Sequence, residues 1–432
     1  MLNPLAQELN DILKNTVAGA LFSDLGVRMY FPKGIIAQSG EAKKAATKAN
    51  GTIGMTVISG TPAVLPSIQK SAPAFKPGEL VAYAPTAGNP DLRKMWQEKI
   101  LQKNPLLKGK KTSLPAVVPG LTAGISYVAD LFLDDTKPLL APNPSWDNYA
   151  LIAEARRGAE FHQFEMFRNG KFNLPGLEKA VKAEAAEYGS VRLLLNFPQN
   201  PSGYSPTHDE VMEICRIIKE TADTGAKLLV MSDDAYFGLD YEDSIEKQSL
   251  FAYIADLHEN VLAVKADGPT KEDFAWGFRC GFLTFGCRGF TDEQYDALVK
   301  KLMGVIRSSV SCSSTPSQSM LMHAFSDPAH EEQKAYFRAL LERRYRIVRK
   351  FVDTHTSSVL EALPFNSGYF MSFHINGVNA EDMRRKLLSE KGIGVISIDS
   401  STLRVAFSSI DEDKIESVYS DIYETAEKMG RV

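Results

Sequence analysis

The segment GPTKEDFAWGFRCGF sets Lys271 and Arg279 eight residues apart, just past the apolar run NVLAVKA. Eight residues is not a helix repeat, so packing alone does not demand the spacing. A lysine amine in a crowded, cationic or apolar site loses its proton more readily, becomes nucleophilic and can condense with an aldehyde. The same amine can afterwards carry a proton to and from a neighbouring carbon. Arg279 offers a planar, bidentate donor suited to a phosphate. Lys265 is a rival amine, but it falls inside the strand pattern, whereas Lys271 lies beyond the strand end.

A second segment, SDDAYFG, ends another apolar run and holds Asp233 and Tyr236. A carboxylate aimed from a strand end into a cleft is costly unless a cation meets it. The protonated pyridine nitrogen of pyridoxal 5'-phosphate is such a cation, and a buried carboxylate keeps it protonated so that the ring accepts carbanion electrons. Asn200, in the turn FPQNPSGYSPT, and Tyr236 can hydrogen-bond the ring's phenolic oxygen. By itself that turn reads equally as an ordinary loop. Phosphate also seeks free backbone N–H groups at a helix start, and Gly120, Leu121, Thr122 and Ala123 precede an apolar helix in PGLTAGISYVADLF. Trp146 in NPSWDNY either stacks on the pyridine ring or belongs to the core.

These residues need a scaffold that brings strand ends together. Short apolar runs recur at PAVVPG, PLLAPN, VRLLLN, AKLLVMSDD, NVLAVKA and GFLTFG, each closed by turn residues. Helical patterns lie between several of them. From Thr207 to Thr221, for example, Thr207 and Glu210 form a capping box and Val211, Ile214, Cys215 and Ile218 share a face. The repetition predicts an α/β fold with a mostly parallel, helix-covered sheet, which binds ligands outside the carboxyl ends of its strands. The final hundred residues read as a smaller α+β domain: a long charged helix, the strand GYFMSFHI, a helix from Ala380 to Lys391 stopped by Gly392, and the strands GIGVIS and TLRVAF. Residues 1–50 are expected to join this small domain, with 51–325 forming the large domain and 326–432 the rest of the small one. Arg343, Arg344, Arg346 and Arg349 read as a solvated helix face balanced by Glu331, Glu332 and Glu342.

Composition narrows the function further. The 432 residues are 44% hydrophobic and 24% charged, with a net charge of -4, so there is no basic field to hold nucleic acid. Cys215, Cys280, Cys287 and Cys312 contain no Cys-x-x-Cys pair, which argues against zinc or a disulfide framework and for a reducing cytoplasm. Neither a signal pattern nor an apolar run long enough to span a membrane is present, and no metal is expected.

Taken in order, Trp146, Asn200, Asp233 with Tyr236, and Lys271 with Arg279 resemble the class I aminotransferases of the fold-type I pyridoxal-phosphate family, over most of the chain. The resemblance implies an aminotransferase that exchanges an amino group between an α-amino acid and an α-keto acid. It implies that Arg404 in LRVAF grips the substrate α-carboxylate. It also implies that Tyr83 in YAPTAGNPDLR reaches the phosphate of a neighbouring subunit, and hence a homodimer with shared active sites. Arg307 in VIRSSVSCSSTP reads equally as a solvated helix-end arginine or, by resemblance, as the second substrate arginine that aspartate aminotransferases take from the neighbouring subunit, which points to aspartate, glutamate or 2-oxoglutarate; aromatic substrates remain open. Three departures stand out. Gly268 occupies the place of a phosphate-binding Ser, leaving Thr270 or Thr122 to supply a hydroxyl; Tyr149 replaces a His that touches the cofactor-binding Asp; and the turn reads Asn-Pro-Ser-Gly instead of Asn-Pro-Thr-Gly. A β-lyase or decarboxylase on the same fold, and a non-catalytic ligand sensor, are the competing functions.

Overall fold

A computed structural model describes residues 2, 4–30, 57–58, 61–62, 75–410 and 412–430. Its centre is a seven-stranded sheet of β1 (Ala116–Val118), β2 (Leu139–Asn143), β3 (Phe161–Glu165), β4 (Ser190–Asn196), β5 (Lys227–Asp233), β6 (Val261–Asp267) and β7 (Gly281–Gly286). The spatial order is β1-β7-β6-β5-β4-β2-β3. Strands β2 to β6 pair in parallel, while β7 pairs antiparallel to both β6 and β1 and so runs against the rest. This reversal has a consequence for chemistry. The carboxyl ends of six strands and the amino end of β7 all reach the same edge of the sheet.

The inner strands are mostly apolar because both of their faces are covered, whereas the edge strand β3 is half polar. Along β5, Leu229 and Met231 enter one core while Leu228 and Val230 enter the other, as a two-residue period requires. The helices that matter below are α1 (Pro4–Leu13), α2 (Val17–Leu21), α3 (Asp24–Arg28), α4 (Pro90–Lys103), α5 (Leu121–Phe132), α6 (Leu174–Tyr188), α7 (His208–Asp223), α8 (Asp292–Ser309), α9 (His330–Thr354), α10 (Ala380–Lys386) and α11 (Ile415–Gly430). At the start of α7, Thr207 Oγ1 accepts from the Glu210 N–H and the Glu210 carboxylate accepts from the Thr207 N–H, the reciprocal cap read from the sequence.

A second sheet, ordered β8 (Leu360–Ala362), β9 (Met371–Ile375), β11 (Thr402–Val405), β10 (Ile396–Ser397), is antiparallel throughout and shares a core with α9, α10 and α11. Residues 4–30 do not join it. Leu9, Leu13, Val17, Leu21 and Phe22 are buried with Leu262 and Val264 in a core of the large sheet. The expectation that residues 1–50 belong to the small domain is therefore corrected for 4–30, and 31–50 lie outside the described residues. The amphipathic pattern of α1 dictates a buried face without naming the surface that buries it.

Candidate active site

The shared edge of the large sheet opens into a cavity of about 810 Å³ of atom-free space, part of it facing solvent, within the range of small-molecule sites. Its lining includes Leu121, Thr122, Trp146, Asn200, Asp233, Tyr236, Thr270, Lys271, Arg279 and Arg404. Most residues singled out from the sequence thus meet in one place. Four are delivered by the carboxyl ends of strands: Trp146 follows β2, Asn200 follows β4, Asp233 closes β5 and Lys271 follows β6. Arg279 arrives from the opposite direction, two residues before β7, with its backbone in the left-handed region at φ 48°.

Gly120, ahead of α5, has φ 91°, and a Cβ built there would lie 2.3 Å from Arg279 Nη2. Only glycine leaves room for that guanidinium against the helix start. Gly268 is crowded for a different reason: a Cβ there would come within 3.0 Å of Gly281 Cα and of Leu121 Cδ1. A serine at that position would require its neighbours to give by a few tenths of an ångström. The hydroxyl of Thr270 is close in sequence, buried, and without a hydrogen-bond partner among the described residues.

Asp233 is 3% exposed. Its Oδ1 accepts the Ala235 N–H at 3.1 Å and its Oδ2 accepts the Tyr149 hydroxyl at 2.5 Å. Burial raises its pKa, while the Tyr149 hydrogen bond and the Lys271 charge work against the rise. Asn196 holds the neighbouring strand ends together, its Nδ2 donating to the Asp233 carbonyl at 2.7 Å and its Oδ1 accepting the Asn200 N–H at 2.8 Å. From the small sheet, Arg404 Nη1 donates to Asn200 Oδ1 at 2.8 Å, and its guanidinium lies 4.3 Å from the Phe370 ring centre. Its Nε is buried and unpartnered among the described residues.

The Lys271 ammonium sits 4.7 Å from the centre of the Tyr236 ring. Burial lowers its pKa, Asp233 opposes that, and Arg279 adds to it, leaving the amine below its ordinary value. The segment is pinned from both domains. Glu272 accepts from Lys103 of α4 and from Lys334 of α9, the latter at 3.2 Å, while His330 Nε2 lies 2.9 Å from Asp273 Oδ1. The Tyr369 hydroxyl donates to the Lys271 carbonyl at 3.2 Å.

Two residues stand apart. Tyr83 is 73% exposed, and Arg307 is exposed in the last turn of α8; neither lines the cavity of a single chain. Two others, Asn196 and Phe370, were not foreseen as parts of the site, while the Tyr149 hydroxyl takes the place beside Asp233 that the resemblance gives to a His. Tyr149 was legible in NPSWDNY, three residues after Trp146 and hence one helical turn on. Asn196 closes an apolar strand and carried no distinguishing signal.

A sequence description of aminotransferase class I and II matches residues 56–422. Among curated proteins, the chain is 27% identical over 262 residues to a probable aspartate/prephenate aminotransferase of Rhizobium leguminosarum bv. phaseoli, covering 58% of this chain and 60% of that protein. It is 25% identical over 210 residues to an aspartate aminotransferase of Musicola paradisiaca, covering 49% of each. The chain thus spans roughly half to three-fifths of the length of these relatives. A solved aminotransferase from Anaerococcus prevotii superposes with a TM-score of 0.72 at 23% identity, covering 94% of this chain and 96% of that one, a likeness of fold. The chain belongs to the aminotransferases of class I and II, whose fold is built around pyridoxal phosphate.

Proposed function

We propose that the protein is an aminotransferase that moves an amino group between an α-amino acid and an α-keto acid. The observation that carries this reading is the meeting of the Lys271 amine, the buried Asp233 carboxylate and the Arg404 guanidinium in one cavity. The residues present fit pyridoxal phosphate. Three cations, Lys271, Arg279 and Arg404, surround one carboxylate, an excess suited to a phosphate and a substrate carboxylate. The unpartnered Thr270 hydroxyl and the close approach of Gly120 to Arg279 are what a bound phosphate group would use.

When bound, the cofactor supplies an aldehyde and an electron-accepting ring. Lys271, its proton affinity depressed by burial and by Arg279, is the nucleophile and carries the proton to and from the substrate α-carbon. Asp233 would meet the ring nitrogen and keep it protonated. Asn200 and Tyr236 would donate to the ring's phenolic oxygen, and Trp146 would cover a ring face. Gly120, Leu121 and Thr122 at the start of α5, with Thr270 and Arg279, would hold the phosphate. Arg404 fixes the α-carboxylate, braced by Asn200 and Phe370.

We read the working unit as a homodimer, because Tyr83 and Arg307 are exposed on the single chain and are suited to completing a neighbour's site. Arg307 would then meet a side-chain carboxylate and favour dicarboxylates. Four thiols without disulfide partners accord with a cytoplasmic setting.

The test mixes protein loaded with pyridoxal phosphate with single amino acids and follows pyridoxamine phosphate by chromatography. A transaminase accumulates it stoichiometrically. Release of ammonia or carbon dioxide without it would instead identify a β-lyase or decarboxylase. In the same assay, Arg307→Ala should lower kcat/KM for aspartate and glutamate by about 30- to 900-fold, equivalent to roughly 2–4 kcal/mol, and affect alanine and phenylalanine far less. Equal losses on all four would refute the dicarboxylate preference.

A further inference from the structure

Tyr149 presents a hydroxyl where packing asks for none. It lies on the short helical turn Asn148–Ala150 and is 1% exposed. Ile125, Val128, Leu194, Leu229 and Met231 line the apolar space around its ring, and the edge of Trp146 meets it at 5.4 Å and 84°. A phenylalanine would fill the same space without burying a polar group. What the hydroxyl adds is felt at Asp233, whose Oδ2 it reaches at 2.5 Å. The second carboxylate oxygen is occupied by the Ala235 N–H, so the two bonds together fix the orientation of the group.

We propose that Tyr149 is a positioning residue: its hydroxyl holds Asp233 ionised and correctly turned for the cofactor's ring nitrogen, an inference that rests on the reading of Asp233 given above. Burial and the Asp233 charge raise the pKa of Tyr149 well above its ordinary value, so near neutrality it is a neutral donor. The other titratable groups facing this pair are Lys271, Asp234 and Tyr236, with Arg404 acting on Tyr236. A tyrosine here therefore keeps the hold on Asp233 free of any titration near neutrality, which a histidine would introduce.

The experiment begins with cofactor-free protein. Infrared difference spectra across a pH titration, with the Asp233 band assigned through Asp233→Asn, compare wild type and Tyr149→Phe. Loss of the hydroxyl should move protonation of Asp233 to higher pH and weaken binding of pyridoxal phosphate, measured by equilibrium dialysis, about tenfold. Tyr149→His should add a pH-dependent step near neutrality to the cofactor Kd that wild type lacks. An unchanged Asp233 titration and Kd in Tyr149→Phe would overturn the proposal and reduce the residue to packing, a role that phenylalanine fills equally well. Should the phenylalanine variant fail to fold, a Kd profile in Tyr149→His identical to wild type would overturn it equally. Failure of wild type to bind pyridoxal phosphate would refute the proposed function while leaving the infrared comparison intact.

Discussion

Asp233 and Asp234 are neighbours in the chain, yet they serve opposite ends of the chemistry, and each has a lysine within reach. Asp234 and Lys265 form an ion pair whose side chains are 2% and 1% exposed. Around them Ser249 Oγ donates to Asp234 at 2.6 Å, Ser232 Oγ donates at 2.8 Å, Asp267 lies 3.4 Å from the ammonium, and Trp96 Nε1 donates to Asp267 at 3.0 Å. Asp233 faces the cavity, and the ammonium of Lys271 rests on the Tyr236 ring. Burial works to lower the pKa of both lysines. At Lys265 the charges of Asp234 and Asp267 outweigh it and the pKa rises, whereas at Lys271 it prevails, helped by Arg279, and the pKa falls. Reactivity here follows from withholding a partner: one amine is neutralised and sealed, the other is kept available.

The largest effect should come from removing the available amine. Lys271→Ala is expected to lower single-turnover transamination by at least about 10^4-fold, since no other nucleophile is placed to serve. If Lys265 could substitute, the loss would be small and the contrast between the two lysines would fail.

Lys265→Met should act on stability instead. It leaves Asp234 and Asp267 buried without their cation, at a cost of about 3–5 kcal/mol in denaturant unfolding. The deficit should depend on pH. Burial pushes Asp267 up to about 6, with Lys265 opposing, so its protonation stabilises the fold below the ordinary value of 3.8 and that contribution is lost as pH rises through about 6. Without Lys265 the carboxyl is raised further. The variant should therefore be less impaired at about pH 5 than at about pH 8, and a pH-independent deficit would mean that the network is not governed by charge.

A smaller effect belongs to Asp233→Ala. Phosphate contacts should retain cofactor, while α-proton removal slows about 10^2-fold because the ring nitrogen loses its counter-charge. Stopped-flow single-turnover rates equal to wild type would show that Asp233 does not face the ring.

Much of this is legible in the amino-acid sequence. Each of the six apolar runs is a strand of the large sheet, because strands buried on both faces are apolar along most of their length. The edge strand Phe161–Glu165 escaped notice, since FHQFE is half polar and covered only in part. The site residues were visible because lysine, aspartate and arginine past strand ends have no packing reason to be there. The placement of 4–30 was not, because an amphipathic helix specifies a buried face and no partner. The bond from Tyr149 to Asp233 crosses 84 residues of sequence, and only the fold brings its two ends together.

The central claim is that Lys271, and not the sealed Lys265, is the amine that holds the cofactor. Borohydride reduction of wild-type protein loaded with pyridoxal phosphate, followed by proteolysis and mass spectrometry, tests it directly. A single modified peptide with the pyridoxyl group on Lys271 is expected; modification at Lys265, or at any other lysine in place of Lys271, would contradict the assignment.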